Sequence, residues 1–550
     1  MVIQNLVSAF GEVFALYNLM LMAIGVLAGL IAGSIPGFTI TMAVVLALPF
    51  TFGMSPIEGL STMLGVYVGG LTGGMFASIL IGVPGTPSAI ATTFDGFPMA
   101  RNGQPGLALG IGLWSSFFGG LISAVVLVFL APSLAAIGLE FGPWDYFMLV
   151  LFALTIAASL SSGAMIKGLI AGAVGLLVAS IGEDRINGAA RFTFGFDSWA
   201  AGFAFLPILI GLFAFSQLLN DMNDTESARK PMLPGHHKAV RMKHRESIVA
   251  VLTHWVALVR SSFIGLFVGL LPAAGSSISN ILAYDQTKKA SKTPEAFGTG
   301  TPPGLVSSEA SNNATAGGAL IMMMALGIPG DAVTAVMLGA LTIHNIAPSP
   351  TFITSQPILA YGIMVAYFLA NFMTLILCAG ALRGFLLVTR IPLYILGVVI
   401  LLYCAIGVFT LNNTIFDIWT LLAFGVLGFV MVKNGFPLTP MVLGVVLGPI
   451  AEVNFARAVA TSDDYTLFFT RPWAFFFIVL ALFSAFFPLY QNAVKAGKSW
   501  ARYYGVAFIG CVGVPLLLMD GWFRTSLGWA LILLAVMLTL QKRRLATQNQ

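Results

Sequence analysis

Long apolar stretches alternate with short polar interruptions along this chain, and the stretches come in two lengths. Stretches near residues 13–35, 59–83, 107–131, 146–160, 163–180 and 199–219 predict helices, as do those near 248–271, 354–378, 393–411, 418–432, 441–453, 473–490, 504–519 and 527–540. The longer ones can cross a hydrocarbon core of roughly 30 Å at about 1.5 Å per residue. Thr39 to Phe52 is too short to cross comfortably and predicts a half helix or a re-entrant segment. The expected fold is therefore an all-α polytopic membrane protein with about 12–14 membrane segments.

One region departs from this pattern. Between Gly265 and Pro348, Pro-Gly breaks, hydroxyls, amides and carboxylates fall where a spanning helix should run. The residues are Gly265 to Ser277, Glu309 to Gly318, and Leu326-Gly-Ile-Pro-Gly-Asp331. Polar groups at membrane depth are costly unless they line a cavity or bind something, so the stretch marks a candidate site.

The pattern recurs in the first half. Gly29, Gly33 and Pro36 return as Gly265, Gly269 and Pro272, and Gly82-Val-Pro84-Gly85 returns as Gly327-Ile-Pro329-Gly330. Gly73-Gly74 has its counterpart, within one residue of register, in Gly317-Gly318. Glycine spacing alone serves close helix packing. Paired Pro-Gly breaks in the same order in both halves instead predict two structural repeats with broken helices or re-entrant hairpins at a substrate site. A count of about seven helices between the two motifs favours an inverted arrangement. The expected division is residues 1–220 as the first half, 221–246 as a basic loop, 247–490 as the second half, and 491–550 as a further two-helix extension.

Composition agrees with a membrane protein and excludes an ordinary soluble domain: 58% of 550 residues are hydrophobic, 9% are charged and mean hydropathy is +0.94. Cys378, Cys404 and Cys511 lie in apolar runs without ligand spacing, which points to packing. The start of the chain lacks the basic region and cleavage site of a signal peptide, so the first span is expected to be retained. Arg229, Lys230, Lys238, Arg241, Lys243 and Arg245 place the 221–246 loop in the cytoplasm, and Lys542-Arg543-Arg544 places the C-terminus there too. His236, His237 and His244 lack metal-ligand spacing and read as part of a solvated loop.

A helix that begins inside the membrane offers unpaired N–H groups and a positive dipole end, which suit a carboxylate. The four breaks are expected to converge on an anionic substrate through Pro36, Gly37, Thr39, Gly85, Thr86, Ser88, Gly275, Ser276, Ser277, Pro329 and Gly330, with Thr41 a similar donor. Asp331 either caps its own helix or helps hold a cation with Asn312 and Asn313. Glu309 is a further buried charge, or a capping or snorkelling group near a helix start. Small neutral oxygens at the breaks favour sodium as the coupling ion, with the proton as the alternative. No other metal and no cofactor are expected.

At these residues the chain resembles the large membrane subunit of the bacterial tripartite tricarboxylate transporters. The resemblance rests on Gly33-Ser-Ile-Pro-Gly37, Pro84-Gly-Thr-Pro87 with Asp95-Gly-Phe-Pro-Met-Ala100, and Ser291-Lys-Thr-Pro-Glu-Ala-Phe-Gly298. It continues through Glu309-Ala-Ser-Asn-Asn-Ala-Thr-Ala-Gly-Gly-Ala-Leu-Ile321, Leu326-Gly-Ile-Pro-Gly330 and Gly339-Ala-Leu-Thr-Ile-His344. It implies a cation-coupled importer of citrate or another organic carboxylate in the inner membrane. The implied partners are a small four-span subunit and a periplasmic binding protein, and the implied motion is elevator-like. Two departures are Gly82, where Asn is expected before the Pro-Gly-Thr-Pro run, and the two extra apolar segments after Tyr490.

Other classes find less support. His-Glu-x-x-His and Gly-x-Ser-x-Gly at a strand-to-helix turn are absent, and no carboxylates cluster for acid–base chemistry. Gly497-Lys498-Ser499 imitates the end of a phosphate-binding loop, but Asn492 stands where its first glycine belongs. A stand-alone carrier, a channel and an intramembrane enzyme are the alternatives to a carrier fed by a binding protein.

Overall fold

The computed structural model describes residues 2–161, 165–184, 186–223, 240–346, 348–388 and 393–548. Arg229, Lys230, His236, His237 and Lys238 lie outside the described residues. The chain is an all-α polytopic membrane protein, with one short antiparallel hairpin pairing Gly182–Glu183 with Ala190–Arg191. Among the described residues nine helices are long and apolar enough to cross a membrane, or ten if one bent pair counts as a span. The remaining expected segments fall on shorter apolar helices, including Ile40–Thr51, Met165–Ala179 and Ala501–Leu517.

Three boundaries differ from the sequence reading. The first stretch divides at Ala15, whose extended backbone separates the amphipathic helix Val2–Val13 from Leu16–Ser34. The stretch at 248–271 is two helices, His244–Thr253 and Trp255–Gly269, bent by 79°. His254 breaks the run, its Nδ1 lying 2.8 Å from the Ala250 carbonyl oxygen. The stretch at 199–219 becomes a short helix, Phe205–Leu209, that widens into a π-helical turn at Ile210–Phe215 before Ser216–Asn223.

The chain packs as two compact units, residues 1–139 with 203–434, and 140–202 with 435–550. These units cut across the halves read from chain order.

The first unit holds the broken helices. We label Leu16–Ser34 α1, Ile40–Ala47 α2, Pro56–Ile81 α3, Ile90–Arg101 α4, Pro105–Gly138 α5, Trp255–Gly269 α6, Gly275–Lys289 α7, Pro302–Leu326 α8 and Ala332–Ile343 α9. α3 starts on a capping box, the Ser55 N–H donating to Glu58 2.9 Å away, with Pro56 in the first turn where its missing N–H costs nothing. α3 is rich in glycine and α8 in hydroxyls and amides, yet they are buried from Gly59 to Ile79 and from Gly304 to Leu326. Hydrophobicity therefore does not mark the centre of this unit. Small residues mark it, because they let backbones approach.

That approach is close. A Cβ on Gly29 or Gly33 would lie 2.2 Å from the carbonyl oxygens of Val66 and Gly70, and one on Gly73 would lie 2.5 Å from that of Leu30. The second half repeats these pairs, with Gly265 facing Ser311 O at 2.3 Å, Gly269 facing Thr315 O at 2.2 Å and Gly318 facing Leu266 O at 2.1 Å. In both pairs the residue numbers rise together, so α1 runs parallel to α3, and α6 to α8. The short α2 and α7 return the chain between them. α3 and α8 themselves run antiparallel: Tyr67 reaches Asp331 just beyond the end of α8, Thr72 bonds Asn313 in its middle, and Ile79 near the end of α3 shares with Leu305 near the start of α8 the contact to Gly96.

In the second unit, Asp145 is fully buried and held by Arg471 at 3.0 Å, by the Ala474 N–H at 2.9 Å and by the Gly142 N–H at 2.8 Å. The extra helices Ala501–Leu517 and Trp522–Gln548 pack on each other and belong to this unit. Arg524 ties them to Glu140 through two hydrogen bonds of 2.6 Å and stacks over Trp473.

Candidate functional site

α3 and α8 end alike, at Gly82 and Gly327, whose φ values of 73° and 70° lie in the left-handed region that ends helices. Gly82 also packs on Phe97, where a Cβ would meet the ring at 2.8 Å, so this position has no room for the expected Asn. Each break then folds back to the end of the parallel helix. A Cβ on Gly85 would lie 2.3 Å from the Gly33 carbonyl oxygen and 3.1 Å from Gly74 Cα; one on Gly330 would lie 2.3 Å from the Gly269 carbonyl oxygen and 2.5 Å from Ala319 Cα. Each half thus collects its own two breaks in one place, three residues beyond which lies Pro36 or Pro272.

Each cluster also receives one polar side chain from the other half. Asn280 of α7 donates to the Ser88 carbonyl oxygen, and Tyr67 of α3 donates to Asp331. Gly275, the first residue of α7, lies against Asp331 with Cβ positions 3.7 Å apart. The first turns of α7 therefore bridge the two breaks, spanning about 7 Å of rise between Gly275 and Asn280. Ser276 and Ser277 lie on that bridge.

The four helix starts do not behave alike. Thr39 caps α2 by accepting from the Met42 N–H at 3.1 Å, and Asp331 caps α9 by accepting from the Thr334 N–H at 2.8 Å. α4 and α7 have no side-chain cap; their N-cap residues are Ala89 and Ala274. These two uncapped starts are the ones joined by the Asn280–Ser88 bond. Thr86 and Ser88 share a hydrogen bond of 2.9 Å at the entrance to α4.

Of the residues expected from sequence, Gly85, Thr86 and Ser88 come together with α7 and its Ser276, while Gly275, Pro329 and Gly330 gather around Asp331. Pro36 and Gly37 follow the end of α1, where Gly37 is exposed with φ of +89°. Thr39 serves its own helix. Thr41 is buried inside α2. Asp331 is a cap, bonded to Tyr67 and Thr334, and it does not meet the Asn312 and Asn313 amides. Those amides face α3: Asn312 donates to the Leu71 carbonyl oxygen at 3.1 Å, and Asn313 accepts from Thr72 at 3.1 Å. Asn313 is further held by Tyr367, which donates to its carbonyl oxygen at 3.0 Å. Glu309 lies two turns inside α8 and is fully buried, so it neither caps nor snorkels.

Sequence reading gave no role to Tyr67, Asn280, Thr92 and Ser116, because nothing in the residues beside each of them shows what faces it. It quoted Asp95 without a role. Asp95 accepts from the N–H groups of Gly298, Gly300 and Thr301 at 2.8–2.9 Å and from the Tyr284 hydroxyl at 2.9 Å. Among the described residues, no three His, Cys, Asp or Glu side chains cluster as a metal site.

Paired discontinuous helices with polar tips, set in a polytopic helical membrane protein, are the architecture of a transport subunit. The comparison with known families agrees: the chain belongs to the tripartite tricarboxylate transporter TctA family, whose family model matches residues 19–443. One relative is an uncharacterized 52.8 kDa protein in the TAR-I ttuC′ 3′ region of Agrobacterium vitis, 34% identical over 473 residues, covering 86% of this chain and 93% of that one. A second, an uncharacterized protein in the TAR-II ttuC′ 3′ region of the same organism, is 35% identical over 211 residues, covering 38% of this chain and 87% of that one. No solved structure matches the chain significantly.

Proposed function

We propose that this subunit carries an organic carboxylate, a tri- or dicarboxylate, between the uncapped starts of α4 and α7. The observation that carries this reading is the pairing of those two starts through Asn280 and Ser88. Both present unpaired N–H groups and the positive end of a dipole, the environment a carboxylate needs where water is excluded. Hydroxyls of Ser88, Thr86, Ser276 and Ser277 would complete the cradle, with Pro36, Gly37, Pro329 and Gly330 shaping its walls. α2 and α9 are already capped, so they contribute shape in place of N–H donors.

The antiparallel run of α3 against α8, with matching glycine contacts in each half, supports an inverted repeat. Such a repeat gives two related packings of opposite orientation, which is the basis of alternating access, here read as elevator-like. Sodium is the proposed coupling ion. It would be held in the second half by Asn312, Asn313 and Asp331 after rearrangement, and buried side-chain oxygens of Asn280, Ser311 and Asn312 have no hydrogen-bond partner. The proposed setting is the bacterial inner membrane with the C-terminus cytoplasmic. A four-span subunit and a periplasmic binding protein that delivers the substrate are the proposed partners. Transport, with no catalysis, is the proposed role.

The test is uptake of labelled citrate by proteoliposomes holding the complete transporter and supplied with its binding protein. Ser88→Ala and Ser276→Ala are expected to raise the KM, and Asn280→Ala to lower the rate as well. Wild-type uptake that is unchanged in all three variants places the substrate elsewhere.

A further inference from the structure

We propose that the second unit holds a phospholipid with an anionic headgroup, seated in a groove at the start of the 491–550 extension. The family model ends at residue 443, so this gives a role to helices that the carrier reading does not use.

The groove has a volume of about 750 Å³ and lies between the helices Pro472–Lys495 and Ala501–Leu517, both in the second unit. Its polarity changes along its length. Leu482, Phe483, Phe486 and Leu489 line the apolar part, and Leu482, Phe486 and Leu489 are each more than half exposed. Asn492, Lys498, Trp500 and Tyr504 line the other end. Leu482 to Asn492 spans about 15 Å of helical rise, half of a hydrocarbon core of roughly 30 Å. The apolar part therefore has the depth of one leaflet. A partner's spanning helix would need a seam along the whole of Pro472–Lys495, whereas this groove stops at Leu482.

Local contacts shape the groove, and charge selects its occupant. Gly497, with φ of +65°, turns the chain after the first helix. Tyr504 of the second helix donates to the Phe483 carbonyl oxygen and stacks on Tyr490 with ring centroids 4.4 Å apart, which fixes the two helices to each other. Lys495 and Arg502 stand at the two helix ends that meet here, and with Lys498 they are exposed. Lys542 donates to the Arg502 carbonyl oxygen at 2.5 Å, which brings the run Lys542-Arg543-Arg544 alongside. From residue 465 to residue 550 the single acidic residue is Asp520, in the turn at the far end of Ala501–Leu517. Basic residues gathered without a carboxylate favour a headgroup whose phosphate charge no amine cancels. Orienting the helices in the membrane would use the same charges, but it needs no groove one leaflet deep beside them.

Native mass spectrometry of the full subunit, taken from vesicles of equal parts phosphatidylcholine and phosphatidylglycerol, tests the site without a substrate. The wild type is expected to retain one phosphatidylglycerol about tenfold more often than phosphatidylcholine, and Lys498→Gln with Arg502→Gln to bring the ratio near one. Lys288→Gln with Lys292→Gln, which removes the same charge from an exposed loop elsewhere, is expected to leave the preference intact. Leu489→Trp, which fills the groove and keeps every charge, is expected to lower retention severalfold. A wild-type ratio near one overturns the proposal, as does an equal loss in the two paired variants or full retention in Leu489→Trp. If Lys498→Gln with Arg502→Gln keeps its lipid and instead sheds a copurified membrane subunit, the groove is a protein interface and the proposal fails.

Discussion

The phenol of Tyr67 donates to the carboxylate of Asp331, 264 residues further along the chain, and both groups are buried. The bond joins α3 of the first half to the break before α9. Asp331 has no cationic partner among the described residues, and the phenol donates to its outer oxygen. Tyr67→Phe is expected to cost about 1–3 kcal/mol by leaving that oxygen unsatisfied. Thermal unfolding in detergent should show a lower midpoint, and Asp331→Asn, which still caps α9, should lose less. An unchanged midpoint in Tyr67→Phe would show that the pair does not hold the break.

Gly330 leaves no space for a side chain, whereas Gly11, in the helix Val2–Val13, has nothing within 4 Å of an added Cβ. Gly330→Ala is expected to destabilise by about 1–3 kcal/mol or more, since the obstacles are backbone atoms of Gly269 and Ala319. Gly11→Ala is expected to be neutral or stabilising by up to about 1 kcal/mol through helix propensity. Comparing folded yield and thermal midpoint of the two variants checks both.

Removing Arg471 strands Asp145 in a buried position. Arg471→Ala is expected to lose about 3 kcal/mol, the range in which breaking a buried ion pair falls, and to lose more than Asp145→Asn, which takes the charge away with its need for a partner. Denaturant or thermal unfolding read at residues 140–202 and 435–550, for example by hydrogen exchange, separates this loss from the first unit. A larger loss in Asp145→Asn would reverse the argument.

The hydrogen bonds from Arg524 hold the Glu140 carboxyl below the usual carboxylate range. A lowered value in the folded state means the contribution is present above the unfolded value and disappears as pH falls through the folded one. The difference in thermal midpoint between wild type and Arg524→Ala is therefore expected at neutral pH and lost below about pH 4. The pair is partly exposed, so its worth is under about 1 kcal/mol and should fall further in high salt.

The membrane class, the breaks and their recurrence are legible in sequence because they depend on local chemistry: apolar length, Pro-Gly pairs and glycine spacing. The short α2 is legible for the same reason. The partners are not. Tyr67, Thr92 and Asn280 act across 192 to 264 residues of chain, and a polar residue on a helix carries no sign of what faces it. Thr39 shows the opposite difficulty, since it looked like a donor for a bound species and caps its own helix, while of the two roles open to Asp331 in sequence the structure shows the cap. The bend at His254 was hidden because both arms are apolar and neither Gly nor Pro marks the corner.

Asp95 has a mechanical consequence. By gripping three amides of the 298–301 loop and the Tyr284 phenol, it rivets α4 to the strap between α7 and α8. Parts riveted together share one hinge. The arm bearing Ser88 and the arm bearing Ser276 are therefore fastened to each other at two places, by Asp95 on the 298–301 loop and Tyr284 and by Asn280 on Ser88, and drawing the two tips apart would break both sets of bonds.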